Sequence, residues 1–242
     1  MPELSYLAAS AAIMAIGALS QGFLGFGFAI VAMAGLTLSR DLLHAAGVVN
    51  LTGILVAASM LTSLRREVLW RPALRMIPGV LVGVVLGVSA LGALDRDLMV
   101  RTLGVTIIAI SLWNLRTPTQ RAGEAPILDG VAGLLGGLLG GAFNTGGPAI
   151  VAHLYRRPDS PQAVKATNQL IFLTMGLARL PTATAQGQMT SSIWIEATIM
   201  APILVTGLLL GIRLSRWVSP AQFRRVSWLA LAAMGAALVI SP

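Results

Sequence analysis

Residues 16–33, I-G-A-L-S-Q-G-F-L-G-F-G-F-A-I-V-A-M, and residues 136–153, G-G-L-L-G-G-A-F-N-T-G-G-P-A-I-V-A-H, are two versions of one pattern. Set 120 residues apart, they share Gly17/Gly137, Leu19/Leu139, Phe23/Phe143, Gly27/Gly147 and the run Ala29-Ile30-Val31-Ala32 against Ala149-Ile150-Val151-Ala152. Each is a membrane-type apolar stretch interrupted by glycines. Unwound backbone is costly in lipid, and it persists only where protein or a wet cavity satisfies its polar groups. Interruptions at matching places in two halves of a chain point to the binding site of a transporter.

The composition around these stretches is that of an integral membrane protein. Hydrophobic residues make up 56% of the 242 residues, charged residues 11%, and the mean hydropathy is +0.82, which leaves no room for a separate soluble domain. Cysteine is absent, so disulfides and thiolate metal sites are excluded. The start, M-P-E-L-S-Y, lacks the basic region of a signal peptide, so residues 4–22 are read as mature structure. The pI near 11.5 does not indicate nucleic-acid binding. Its arginines are scattered through short loops with no aromatic interleaving, as expected of topology signals.

Apolar stretches fall at about 4–22, 27–39, 42–64, 72–93, 98–115, 127–144, 147–155, 162–180, 193–212 and 223–240. A helix needs about 20 apolar residues to cross a bilayer core, which six of these approach alone: 42–64, 72–93, 98–115, 162–180, 193–212 and 223–240. The pairs 4–22/27–39 and 127–144/147–155 have second arms too short for an untilted crossing. They read as broken hairpins that return to the side they entered. With the amino terminus outside, this arrangement places thirteen Lys/Arg on one side and four on the other. Letting each broken segment cross once weakens the bias to ten against seven, so the positive-inside rule favours the re-entrant arrangement.

Three net crossings per half make the halves inverted. The expected architecture is an all-α integral membrane protein of two inverted repeats, 1–118 and 119–242, each a Gly-broken re-entrant hairpin plus three transmembrane helices. The duplication extends beyond the breaks. Pro78, Gly83, Gly87 and Arg101 match Pro202, Gly207, Gly211 and Arg225 at one offset of 124, and Asn50 matches Asn168 at 118. Gly79, Gly83 and Gly87 stand four apart, as do Gly133, Gly137 and Gly141. Such ladders let helix backbones approach closely in lipid, so helix packing is their expected role.

The second break, Asn144-Thr145-Gly146-Gly147-Pro148, is the sharpest candidate site. Pro148 suits the first turn of a new helix, and the glycines permit unusual backbone angles. The free N–H groups and positive dipole end at a helix start favour an anion, and Asn144 and Thr145 add side-chain donors. A plain tight turn is the alternative reading. The first break, Gly25-Phe26-Gly27-Phe28, is more apolar, with Gln21 its one nearby polar side chain. Asn50 and Asn168 lie within apolar stretches, as ligands or as interhelical hydrogen-bonding groups. The candidate substrate-binding set is therefore Gln21, Gly25, Gly27, Asn50, Asn144, Thr145, Gly146, Gly147 and Asn168.

Lys165 and Arg179 flank Asn168 about four turns apart, and both are long enough to snorkel to the interfaces. His44 and His153 lie toward stretch ends, where interfacial or structural roles are expected. Asp129 falls at a stretch end and Glu196 only shallowly within its span. A carboxylate deep in the membrane, the usual mark of proton coupling, is not visible. Gly-x-Ser-x-Gly, H-E-x-x-H and Walker patterns are absent, so no catalytic role, cofactor or metal is expected.

The run G-G-A-F-N-T-G-G-P-A-I-V, the Asn168 helix and the P-x4-G-x3-G pattern at Pro202 resemble the TauE/SafE sulfite exporter family over nearly the whole chain. The resemblance implies a duplicated transporter of sulfur-containing anions, such as sulfite and sulfonates, across the bacterial inner membrane. This chain departs from the family pattern at its first break. Phe26 and Phe28 stand where glycine is usual, and the proline a few residues later is missing. The expected function is a multi-pass secondary carrier exporting a small anion bound near the midplane. The expected partners are that anion and the bilayer, with no nucleic acid and with homo-oligomerisation left open. The alternative is a non-transporting membrane scaffold that holds lipid or a protein partner.

Overall fold

A computed structural model of the chain describes residues 2–37, 40–91, 95–116, 126–157, 159–215, 217 and 220–240. Among them the ordered elements are helical: α1 (Pro2–Leu24), α2 (Phe28–Leu36), α3 (Leu42–Leu64), α4 (Trp70–Leu91), α5 (Arg96–Arg116), α6 (Pro126–Phe143), α7 (Gly147–Leu154), α8 (Pro161–Ala185), α9 (Ser191–Ser215) and α10 (Pro220–Ile240), with a 3-10 turn at Arg65–Glu67. Several helix starts follow ordinary capping chemistry. Asp41 accepts the amide of His44 at 2.9 Å, and Ser160 accepts that of Ala163 at 3.1 Å. The expected repeat junction at 118/119 lies outside the described residues.

Both breaks reverse the chain. At the first, Gly25 (φ 82°) and Gly27 (φ 106°) take left-handed backbone that only glycine adopts freely. At the second the reversal falls on Asn144 (φ 57°), a residue type that tolerates this region. Past the first break α2 folds back along α1, bringing Phe28 against Gly17 and Gly35 against Ile13. Past the second, α7 folds back along α6, bringing Ile150 against Gly136. The arms are unequal, since α1 and α6 have 23 and 18 residues but α2 and α7 only 9 and 8.

Five helices among the described residues are long and apolar enough to cross a membrane: α1, α3, α4, α6 and α9. α1 and α6, expected as the first arms of the broken hairpins, thus have spanning length themselves. The face of α4 that carries Leu74, Val82, Val85 and Leu86 is exposed, as suits a lipid-facing surface. The chain is an all-helical, multi-pass membrane protein.

Glycine governs how these helices meet. A Cβ at Gly79, Gly83 or Gly87 of α4 would strike carbonyls of Gly130, Leu134 and Leu138 on α6, in that order. Gly207 and Gly211 of α9 meet Ala15 and Leu19 of α1 in the same way. Residue order shows α4 parallel to α6 and α9 parallel to α1, at backbone contact that any side chain would prevent. α3 and α8 run antiparallel, because Ala46 lies by Arg179, Asn50 by Gly176, and Leu69 just beyond α3 by Thr167. α5 packs on α10. Exchanging α1–α5 for α6–α10 maps this set of pairings onto itself.

Two acidic side chains are more buried than their positions in the sequence imply. Asp129 is 0% exposed and Glu196 6%. Asp129, at the start of α6, meets His153 at the end of α7 at 2.6 Å, with Arg75 and Arg157 at 3.6 and 3.7 Å. Glu196 of α9 accepts from the Tyr6 hydroxyl at 2.7 Å and lies 2.8 Å from His44 Nε2. The histidines are accordingly structural, each held against a carboxylate that burial would otherwise penalise.

Candidate functional site

The two breaks face one cavity of about 570 Å³ empty volume, open on one side. The first turn of α2 lines it with Gly27 through Ile30, and the second break contributes Asn144, Thr145 and Gly147. α3 adds Asn50 and Gly53, and α8 adds Phe172, Met175 and Gly176. Its polar side chains are Gln21, Asn50, Asn144 and Thr145, and none of the lining residues is charged. Both short helices therefore present their amino-terminal ends, where unpaired N–H groups and positive partial charge collect, to one mostly apolar chamber.

The two ends differ in what they leave free. At the first break Gln21 Oε1 accepts the N–H of Phe28 at 3.1 Å, and Gln21 Nε2 donates to Gln169 Oε1 at 2.9 Å. Gln169 in turn donates to the carbonyl of Gly25 at 2.8 Å. This start is closed by its own side chains. At the second break Gly146 caps α7 with no side-chain hydrogen bond. Thr145 is 2% exposed, and its Oγ1 has no partner among the described residues. Leaving a buried hydroxyl without a partner costs about 1–3 kcal/mol. Asn144 Nδ2 is engaged, donating to the carbonyl of Ala46 at 2.8 Å.

The carbonyl ends of the broken helices are capped from a single helix. Lys165 Nζ of α8 donates to the carbonyl of Phe23 at 2.9 Å, near the end of α1. Arg179 Nε donates to the carbonyl of Gly141 at 2.9 Å, in the last turn of α6, and its NH1 reaches Ala46 O at 3.4 Å. Cations at helix carboxyl ends complement the dipole. Neither side chain snorkels outward as its length allows. Arg179 is 1% exposed and turns into the protein.

The family model described as Sulfite exporter TauE/SafE matches residues 9–238. The chain belongs to the TauE/SafE sulfite exporter family. It is 31% identical over 238 residues to a protein of Cupriavidus necator named probable sulfite/organosulfonate exporter TauE, an alignment covering 95% of this chain and 92% of that one. It is also 31% identical over 175 residues to a protein of Comamonas testosteroni named probable inner membrane transporter protein TsaS, covering 72% and 73% of the two chains. No solved structure matches it. The protein is thus a membrane transporter of the TauE family.

In this TauE-family chain six of the nine residues singled out from sequence line the shared cavity: Gln21, Gly27, Asn50, Asn144, Thr145 and Gly147. The other three lie apart from the lining. Gly25 packs against the Lys165 stem, and Gly146 against the carbonyl of Gly136 and the Met175 thioether. Asn168 is fully buried, with neither side-chain polar atom partnered among the described residues, but it is not part of the cavity wall. The matched asparagines therefore differ in place. Asn50 donates to the carbonyl of Gly176 at 3.3 Å and leaves its buried Oδ1 unpartnered.

Sequence reasoning missed α8 as the helix that secures both breaks. The signal was available in its spacing. Lys165, Gln169, Phe172, Gly176 and Arg179 recur at three- and four-residue intervals, which puts them on one helical face. The departure at the first break also has a structural counterpart. Phe26 is 0% exposed and packs against Trp228 with ring centroids 6.5 Å apart, while Phe28 joins the cavity wall.

Proposed function

We propose that this protein is a secondary carrier that exports small sulfur-containing anions, sulfite or organosulfonates, across the bacterial inner membrane. The relatives named above support the substrate class and the membrane. The observation that carries the site is Thr145: a buried hydroxyl, unpartnered among the described residues, beside an uncapped helix start on the wall of a mostly apolar, uncharged cavity. An oxyanion there accepts from the Thr145 hydroxyl and the first N–H groups of α7 while the helix dipole favours its charge. Gln21, Gly27 and Asn50 complete the lining, with the first break serving as frame. Thr145 has no general base among the lining residues, which favours transport over catalysis.

The two halves, 1–118 and 119–242, act in this reading as inverted repeats with re-entrant hairpins. Three observations support it: the loop-charge bias, the antiparallel α3–α8 contact, and the self-mapping set of helix pairings. Flux into proteoliposomes of sulfite, methanesulfonate and acetate tests the function. Uptake of the two sulfur anions in preference to acetate is expected. Absence of uptake of any anion by folded, oriented protein favours the scaffold reading instead.

A further inference from the structure

A fixed charge stands directly behind the uncharged cavity wall. Arg179 is 1% exposed, and its hydrogen bonds run to the carbonyls of Gly141 and Ala46. Carbonyls satisfy donors but carry no net charge. The two buried carboxylates are engaged elsewhere, Asp129 with His153, Arg75 and Arg157, and Glu196 with His44 and Tyr6. A guanidinium does not shed its proton to escape such a site.

The link to the cavity is a shared oxygen. Asn144 Nδ2 and Arg179 NH1 both reach Ala46 O, at 2.8 and 3.4 Å, so the two groups lie within about 6 Å of one another. Asn144 lines the cavity beside Thr145. The Arg179 charge therefore acts on the chamber through low-dielectric surroundings, where a charge interacts far more strongly than in water. Arg179 also braces the last turn of α6 and the left-handed Asn144 that leads into the break.

We propose that Arg179 determines the anion preference of the cavity, supplying from behind Asn144 the positive charge that the lining side chains lack. This rests on the reading that the anion binds at the second break. A helix start favours anions only through partial charges; a full charge adds discrimination against neutral molecules of the same shape. The ligand class is then a compact monoanion or dianion with tetrahedral oxygens, and a neutral sulfone is excluded.

The test compares methanesulfonate with dimethyl sulfone, its uncharged near-isostere, in proteoliposomes of the full chain. A small neutral sulfone crosses a bilayer unaided, so its recognition is read by competition. Excess dimethyl sulfone is expected to leave protein-dependent methanesulfonate uptake unchanged, and inhibition as strong as that by a second sulfonate overturns the proposal, with no variant needed. Arg179→Gln keeps a donor for Gly141 but loses the charge, and should raise the methanesulfonate KM about ten-fold or more and narrow the discrimination. Arg179→Lys keeps the charge and should restore both to near wild-type values. Since Lys165 shows that a lysine can also cap a helix end, it is the change in charge discrimination with Gln, at unchanged thermal stability, that separates the charge from bracing. If Gln matches wild type in KM and discrimination, or if Lys and Gln lose both equally, the proposal fails. Gly147→Val in the same assay separates the two levels. If it transports normally the second-break site is itself wrong, whereas if it is inactive while Arg179→Gln is normal only the role of Arg179 falls.

Discussion

Gln21 Oε1 lies 3.1 Å from the amide nitrogen of Phe28 and so occupies the helix start of α2 from within its own hairpin. At the corresponding place in the second half Thr145 contributes a hydroxyl that nothing in the described chain engages. In the proposed reading the two breaks of one pattern divide their labour, one as structural wall and the other as binding end. The distinction predicts opposite responses to mutation. Gln21→Ala should lower thermal stability by about 1 kcal/mol, as loss of a helix cap does, with little change in KM. Thr145→Val removes a hydroxyl that bonds to no group among the described residues, so stability should hold while KM rises several-fold. Thermal unfolding in detergent, paired with flux titration, checks both.

Gly146 and Gly147 should not respond alike despite being neighbours. A Cβ at Gly146 would run into the carbonyl of Gly136 and the Met175 side chain, whereas at Gly147 the nearest atom is Phe172 Cζ at 3.3 Å. Gly146→Ala forces the hairpin arms apart and should cost about 1–3 kcal/mol, the usual penalty of overpacking. A Gly146→Ala protein that unfolds at the wild-type temperature contradicts this packing account.

Asp129 joins both ends of the second hairpin to α4 through His153 and Arg75. Asp129→Ala removes the buried carboxylate that His153, Arg75 and Arg157 share, while Arg157 keeps Asp159 at 3.1 Å. Breaking a buried pair by removing one partner costs about 3–5 kcal/mol, so a large drop in folded yield and melting temperature is expected. Asp129→Asn, which keeps a hydrogen-bonding group toward His153, should lie between the two. Equal stability of all three proteins argues that the cluster is incidental.

How far the sequence revealed this arrangement depended on the kind of signal. The helices and breaks were legible because apolar run length and glycine clustering are local, and the ladders at Gly79–Gly87 and Gly133–Gly141 stated their own packing. Six cavity residues were legible because each sits in or beside a break or is a lone polar group in an apolar run. Arg179 and Lys165 were misread because side-chain length permits either snorkelling or inward capping. The choice rests on where the ends of α1 and α6 lie in space, which no local pattern encodes. Asp129 and Glu196 were hidden similarly: a position near a helix start says nothing about which neighbours cover it. Gly25 and Gly146 share the motif with the cavity residues but lie outside the lining, because within such a turn only some residues face the chamber.

The cavity lining contains no carboxylate, and the buried acids Asp129 and Glu196 lie outside it, already bonded. Membrane potential is then the simplest driving force. Moving one charge through 100 mV changes free energy by about 2.3 kcal/mol, so a dianion leaving an inside-negative cell gains roughly 4.6 kcal/mol. At about 1.4 kcal/mol per decade this sustains a gradient on the order of a thousand-fold. Sulfite flux should follow valinomycin-set potentials at symmetric pH and respond weakly to a pH step. Indifference to potential together with accumulation driven by pH indicates proton coupling instead.

Passage of the anion through the second break is tested most directly at Gly147. It lines the cavity and has no positive φ, and a Cβ there comes within 3.3 Å of Phe172 Cζ. A valine therefore crowds the chamber, at some cost in stability because helical backbone is disfavoured for a side chain before Pro148. The measurement is methanesulfonate flux by Gly147→Val and wild-type proteoliposomes at equal folded protein content. Passage through the second break predicts flux from wild-type protein, and none above empty vesicles from a variant that still unfolds cooperatively. Undiminished flux in that variant contradicts it.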